Sequence, residues 1–236
     1  MCRCGHDHSS QPGWVTVLEN KIAFSFDITR VMFCSGNNTE RMRMGKYVLQ
    51  EKEVIMIFIQ GLDIILYYHP KMISHLYACE WNPDSVFSLQ HNSITANVPD
   101  TQYTIIPGDN RITSVAKSLI NLADRNLLGL LPSSTQGWPL AVRALKVTGG
   151  IIHVHENIFE KELSEWLEQM KVSFVRLFQE IKQQVMVLEI LHVEKVKSYA
   201  PRVNHYVIDL KCSQQKFFVI PSSFIVVIST CIYILY

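Results

Sequence analysis

Acids and amides standing just beyond short apolar runs are the residues of this 236-residue chain best placed to do chemistry. In SHLYACEWNP, Ser74 to Pro83, four apolar residues lead to Glu80, and Asn82-Pro83 reads as a helix start. A carboxylate fixed at the carboxyl edge of a parallel strand can take both hydroxyls of a ribose diol, because each of its oxygens accepts a hydrogen bond. The same stretch is equally an ordinary strand end running into a helix. QYTIIPGDN repeats the arrangement, with Asp109 and Asn110 after a turn glycine, and NLLGLLPSS carries Asn126, Pro132, Ser133 and Ser134 to a third strand end. GIIHVH supplies a fourth, with His153 and His155 on one face. Such histidines read either as core fillers with backbone partners or as catalysts, and a pair two apart on a strand is a weak metal site.

Four strand ends separated by helical stretches predict one open α/β sheet with a ligand laid across its edge. Pro83 to Ala96 is expected to be a helix, and so are Arg111 to Leu122, Leu140 to Lys146 and a long one from Ser164 to Leu191. Ahead of them, Trp14 to Phe33 alternates and reads as a hairpin turning at Asn20-Lys21. A basic segment follows, where Arg30, Arg41, Arg43 and Lys46 surround Asn37, Asn38 and Thr39. It suits phosphate contacts, and it equally suits a solvated helix start capped by Thr39. Val193 and Val196 are expected in a short strand and Tyr206 to Leu210 in an edge strand.

With 22 basic and 21 acidic residues the formal net charge is +1, so binding to a polyanion needs a local patch. Six cysteines without framework spacing point to a reducing, cytoplasmic setting. Cys2, Cys4, His6 and His8 alternate on a terminal segment with no loop to shape a tetrahedral site, so no metal is expected. From Phe217 to Tyr236 the chain is almost wholly apolar. That tail reads as a membrane anchor, as a buried pair of strands, or as a segment outside the fold.

Several stretches carry a resemblance in one order along the chain: FDIT with Met32-Phe33, GNNTERMR (36–43), YACEWNP (77–83), GDNR (108–111), DRNLLGLLPSS (124–134) with Gly137-Trp138-Pro139, GGIIHVH (149–155) and VKSYAP (196–201). Over roughly residues 14 to 215 the chain resembles the wybutosine-synthesising aminocarboxypropyltransferases. These belong with the tRNA guanosine-37 N1-methyltransferases in one class I S-adenosylmethionine-dependent superfamily. Leu-Leu-Pro-Ser-Ser looks like the aminocarboxypropyl branch, where the methyltransferase branch has Asn-Pro-Pro.

The resemblance implies a class I methyltransferase-like doubly wound sheet with a small amino-terminal hairpin region. It divides the chain into a disordered tail (1–13), hairpin and basic linker helix (14–47), catalytic domain (48–216, atypical at 48–73) and apolar tail outside the fold (217–236). S-adenosylmethionine is the implied cofactor, with Arg43, Glu80, Asp109 and Asn110 binding it. Asn126, Pro132 and Ser133 are the implied catalytic residues, and Asn37, Arg41 and Arg43 the implied contacts to phenylalanine tRNA. The implied reaction moves the 3-amino-3-carboxypropyl group to C7 of 4-demethylwyosine at position 37, by a monomer. Guanosine-37 N1-methylation and a non-catalytic tRNA- or protein-binding role are the alternatives. Two departures stand out. The family's amino-terminal substrate-recognition domain has no counterpart before Trp14, and its first motif, Asp-x-Tyr-Ala-Gly-Ile-Gly, is absent from residues 54 to 66. The turn after Val54–Ile59 carries only Gly61, with bulky Leu62, Ile64 and Ile65 beside it, and a weakly held cofactor is expected.

Overall fold

The structure, a computed structural model, describes residues 12–46, 52–58, 73–112 and 119–215. The amino-terminal Cys/His set, the turn around Gly61, residues 113–118 of the helix expected over Arg111–Leu122 and the apolar tail lie outside the described residues, and the expected end of that helix, Leu119–Leu122, is not helical. None of the helices among those residues is long and apolar enough to cross a membrane.

Strand β1 (Trp14–Glu19) pairs antiparallel with β2 (Ile22–Asp27) through a turn at Asn20-Lys21, both in the left-handed region at φ 52° and 68°. Two positive φ values at a two-residue turn match the right-handed twist of the flanking strands. Helix α1 (Asn38–Gly45) follows. It starts one residue before the expected cap, with no side chain of Asn37 closing its first turn.

The main sheet contains β3 (Glu53–Phe58), β4 (Ile73–Glu80), β5 (Tyr103–Pro107), β6 (Arg125–Leu128), β7 (Gly149–Phe159), β8 (Met186–Ala200) and β9 (Val203–Gln214). Their spatial order is β5-β4-β3-β6-β7-β9-β8. The first five run parallel, and β9 pairs antiparallel with both β7 and β8. The order reverses between β3 and β6, which makes their carboxyl ends the natural crevice of the sheet. β3 shows why it lies in the middle: Met56 and Phe58 pack into one core and Ile55 and Ile57 into the other, so both faces are apolar.

Helix α2 (Pro83–Thr95) lies on the hairpin side, α3 (Trp138–Ala144) and α4 (Leu163–Lys182) on the opposite face. Asn82 caps α2 by accepting from the Asp84 amide at 3.0 Å, and Pro83 occupies the first turn, where its missing donor costs nothing. Asn92 accepts from the Ser25 amide at 2.8 Å and donates to its carbonyl at 3.0 Å, joining α2 to the free edge of β2. α4 buries Met170, Phe174 and Phe178, one every four residues, and Phe174 stacks on Trp138 at 4.7 Å.

The carboxyl-terminal third differs from expectation. α4 stops at Lys182, because Gln183 turns left-handed at φ 55°, and the β-branched run after it forms the 15-residue β8. β8 is the edge strand, and Tyr206 to Leu210 belongs to β9, which is inserted beneath it. Alternation explains this: Tyr206, Ile208 and Leu210 join the helix-covered core while His205, Val207 and Asp209 are buried on the other face.

Candidate active site at the carboxyl ends of the parallel strands

β4 delivers Glu80 to the sheet edge, and the Gly108 amide donates to the Glu80 carbonyl at 2.9 Å, which sets the end of β5 level with it. The Glu80 carboxylate is buried and accepts from the Asn82 amide at 2.8 Å. Burial raises its pKa above the usual carboxylate value, against the lowering effect of the backbone amides of Asn82 and Trp81.

A cleft of about 350 Å³ opens beside it over the switch point. Phe58 enters from β3, Trp81 from the residue after Glu80, and Asp109, Asn110 and Arg111 from the turn after β5. Leu128, Leu130, Ser134, Gln136 and Gly137 line it from the end of β6 and the chain leading to α3. The volume is that of a small-molecule site, with apolar walls and a few polar groups. Trp81 is 66% exposed, a large aromatic face available for stacking. A Cβ at Gly137 would come within 2.9 Å of Leu128 Cδ2, so the absent side chain keeps this wall open.

In the turn after β5, Arg111 Nε lies 2.9 Å from Asp109 Oδ1 and its Nη2 2.5 Å from Oδ2. These donors pull the Asp109 carboxyl below its usual range. Asn110 is buried beside them. Across the cleft, Ser134 Oγ accepts from Trp138 Nε1 at 3.2 Å. The Ser134 amide and the Ser133 hydroxyl both donate to Glu156 Oε2, at 3.2 and 3.0 Å. The Asn157 amide donates to the Pro132 carbonyl at 3.0 Å.

The structure therefore brings Asp109, Asn110 and Ser134 to one cleft, with Glu80 beside it next to Trp81, and Pro132 and Ser133 in the turn that leads to Ser134. It places the remaining expected site residues elsewhere. Asn126 is fully buried inside β6, where its Nδ2 donates to the Ala141 carbonyl at 3.1 Å and docks α3, so it does not line the cleft. Arg41, expected on tRNA, is 3% exposed: its guanidinium grips Glu19 at 2.6 and 2.7 Å and covers the Phe33 ring at 5.0 Å. It fastens α1 to the hairpin. Asn37 sits in the turn before α1 and accepts from Cys34 Sγ at 3.5 Å.

Arg43, expected on cofactor and tRNA, is held by Glu40 at 2.7 Å and by Asp209 at 2.6 Å. That contact ends a buried array across the sheet: Glu53 to Arg125 at 2.6 Å, Arg125 to His153 at 2.7 Å, and His153 to Asp209 at 2.6 Å. Burial opposes the charges on Arg43 and Asp209, but each is held ionised by its partners. Arg43 is raised well above its ordinary value and Asp209 drawn well below. Next to this array, His155 and His205 meet at 3.2 Å, both driven down to about 3 by burial. His153 and His155 are thus buried in the core, as one of the two readings had it, but their partners are side chains, Arg125 and Asp209 for one and His205 for the other, instead of the backbone.

Sequence reasoning did not single out Phe58, Trp81, Gln136 or Glu156. For Glu156 the signal was present: an acid directly after an apolar strand, the same pattern that drew attention to Glu80.

The family profile of the TRM5/TYW2 methyltransferase domain matches residues 15–186. The chain belongs to this family. Among curated relatives, tRNA wybutosine-synthesizing protein 2/3/4 of Oryza sativa subsp. japonica is 40% identical over 201 residues, which cover 85% of this chain and 19% of that protein. The tRNA wybutosine-synthesizing protein 2 homolog of Danio rerio is 36% identical over 229 residues, covering 84% of this chain and 55% of that protein. The chain thus spans about half the length of the zebrafish relative and about a fifth of the rice one. A crystal structure of M. jannaschii TYW2 in complex with AdoMet superposes with a TM-score of 0.72 at 26% identity, covering 86% of this chain and 87% of that one. As a TRM5/TYW2 domain, the chain has the mostly parallel central sheet of these transferases with a small antiparallel hairpin beside it.

Proposed function

We propose that this chain is an S-adenosylmethionine-dependent tRNA-modifying transferase domain of wybutosine synthesis. Its reaction transfers the 3-amino-3-carboxypropyl group to C7 of 4-demethylwyosine at position 37 of phenylalanine tRNA. The observation that carries the reading is the cleft at the β3/β6 switch point. It has a buried amide at the β5 end and apolar and aromatic walls, with the buried Glu80 carboxylate beside it at the end of β4. Glu80 would accept from the ribose diol, Asp109 and Asn110 would bind the base, and Trp81, Phe58 and Leu128 would offer it apolar surface. Support from relatives is by name: the rice and zebrafish proteins are called wybutosine-synthesizing, and the archaeal TYW2 structure holds AdoMet.

When bound, the cofactor supplies an electrophilic γ-carbon next to a sulfonium. The residues of this chain supply orientation, because attack at that carbon instead of the methyl group depends on which atom faces the base. The Pro132–Ser134 turn, on the far side of the cleft from Asp109, is the part that faces the amino-acid arm. Localisation in the cytoplasm and action as a monomer belong to the same proposal.

Incubation with S-adenosylmethionine and tRNA bearing the tricyclic precursor tests it by the cofactor product. Methylthioadenosine is expected. S-adenosylhomocysteine as the only product overturns the assignment in favour of N1-methylation.

A further inference from the structure

Glu156 is a carboxylate that the fold has no packing reason to bury. It is 6% exposed in the second half of β7, past the strand's last pair with β6, and burial lifts its carboxyl to about 7. An apolar residue would serve the core better unless the carboxylate does something specific. What it does is visible in its contacts: Oε2 receives both the Ser133 hydroxyl at 3.0 Å and the Ser134 amide at 3.2 Å. The next residue, Asn157, holds the Pro132 carbonyl through its amide at 3.0 Å. Three successive residues of one turn are therefore clamped by two successive residues of the neighbouring strand.

That turn lies at one end of the cleft. With spatial order β5-β4-β3-β6, the proposed diol acceptor Glu80, beside the cleft at β4, and the buried Asn110 at β5 would take the nucleoside half of the cofactor. Among the described residues, the part of the cleft left for the rest of the molecule is at the β6 end, where Ser134 lines it. Ser134 cannot settle by itself: its Oγ is committed to Trp138 and its amide to Glu156.

We propose that Glu156 is a positioning residue that fixes the Pro132–Ser134 turn for recognition of the aminocarboxypropyl arm of the sulfonium cofactor, as distinct from its nucleoside half. The proposal rests on the reading of the cleft as an S-adenosylmethionine site. Without the clamp the nucleoside contacts are intact, while the turn facing the arm loses two of the three hydrogen bonds that tie it to β7.

Calorimetric titration of the full chain with S-adenosylmethionine and with methylthioadenosine, which lacks the arm, separates these contributions. At pH 8, where the Glu156 carboxylate predominates, Glu156→Ala is expected to weaken S-adenosylmethionine about tenfold, the worth of a charge-assisted hydrogen bond. Methylthioadenosine affinity is expected to change less than about twofold. Glu156→Gln, which keeps volume and one acceptor oxygen, is expected to fall between and guards against loss of folding in the alanine variant. Parallel weakening of both ligands, or an unchanged ratio of the two affinities in both variants, overturns the proposal. A wild-type chain that binds neither ligand overturns the cofactor reading itself and this inference with it, and is recognised before any variant is made.

Discussion

Asp209→Asn is the sharpest test of how α1 is held on the sheet. Asp209 is 1% exposed and accepts from His153 Nδ1 at 2.6 Å and from Arg43 at 2.6 and 2.9 Å. The amide cannot satisfy both neighbours, and Arg43, still paired with Glu40, loses the stronger half of its compensation. Removing one partner of a buried ion pair costs about 3–5 kcal/mol, because the other charge stays buried. For a domain of this size a loss of 1 kcal/mol lowers Tm by roughly 2–4 °C, so the melting point should fall by about 6–20 °C. Arg43→Met strands two carboxylates, Glu40 and Asp209, and should cost at least as much. The double variant should cost less than Arg43→Met alone, since the Asp209 charge is then absent. Thermal melts by circular dichroism read all three. A loss below about 1 kcal/mol for Asp209→Asn, or additive losses in the double variant, would show that the array is solvated and the reasoning wrong.

The buried histidine pair gives a pH dependence of fixed sign. With folded values near 3 and unfolded values near 6.5, the unfolded chain binds more protons below neutrality. Stability is therefore complete above 6.5 and falls as pH drops toward 3, by about 2 kcal/mol per histidine between pH 7 and 5. Glu156, raised to about 7, opposes this by becoming more stabilising over the same interval. The clean measurement is thus the pH dependence of denaturant midpoints for wild type against His155→Leu, and an identical slope in both would refute it. Gly137→Ala, at a backbone φ of −85° that any residue adopts, should leave Tm nearly unchanged. Its Cβ would meet Leu128 Cδ2 at 2.9 Å and add bulk between two residues that line the cleft, so S-adenosylmethionine affinity should fall about three- to tenfold. Equal affinity by calorimetry would mean that Gly137 does not border the ligand.

Much of the sheet was legible because buried parallel strands are written as short continuous apolar runs, and their punctuation is local. Asn82-Pro83 before α2 and Asn20-Lys21 in the hairpin act through their own backbone and neighbours, so the sequence places them within a residue or two. The misreading of residues 183–191 has a different origin. Val185, Leu188 and the residues between them fit an apolar helical stripe nearly as well as a strand. The arbiter is the left-handed Gln183, a conformation that a glutamine does not announce.

Site residues divide along the same line. Glu80, Asp109 and Asn110 stand at strand ends, and a strand end is a place that a one-dimensional pattern can locate. Basic residues have no such address. Arg41 and Arg43 looked like phosphate ligands because they cluster in sequence, yet each finds its carboxylate far along the chain, Glu19 for one and Asp209 for the other. A charge becomes a structural staple or an exposed contact only through the partner that folding brings to it, and sequence separation hides that partner. Asn126 shows the converse error: it opens the motif-like NLLGLLPSS, but it sits two residues before the strand end at Leu128, pointing into α3. The chemistry-bearing portion is the turn beyond the end, and the residue that steadies this turn, Glu156, comes from the next strand over. A strand-end motif in a doubly wound sheet is accordingly better read as a pair, the turn after one strand with the part of its neighbour that runs on past their last parallel pair: here β7 continues beyond Val154, opposite Leu128, and its Glu156 meets Ser133.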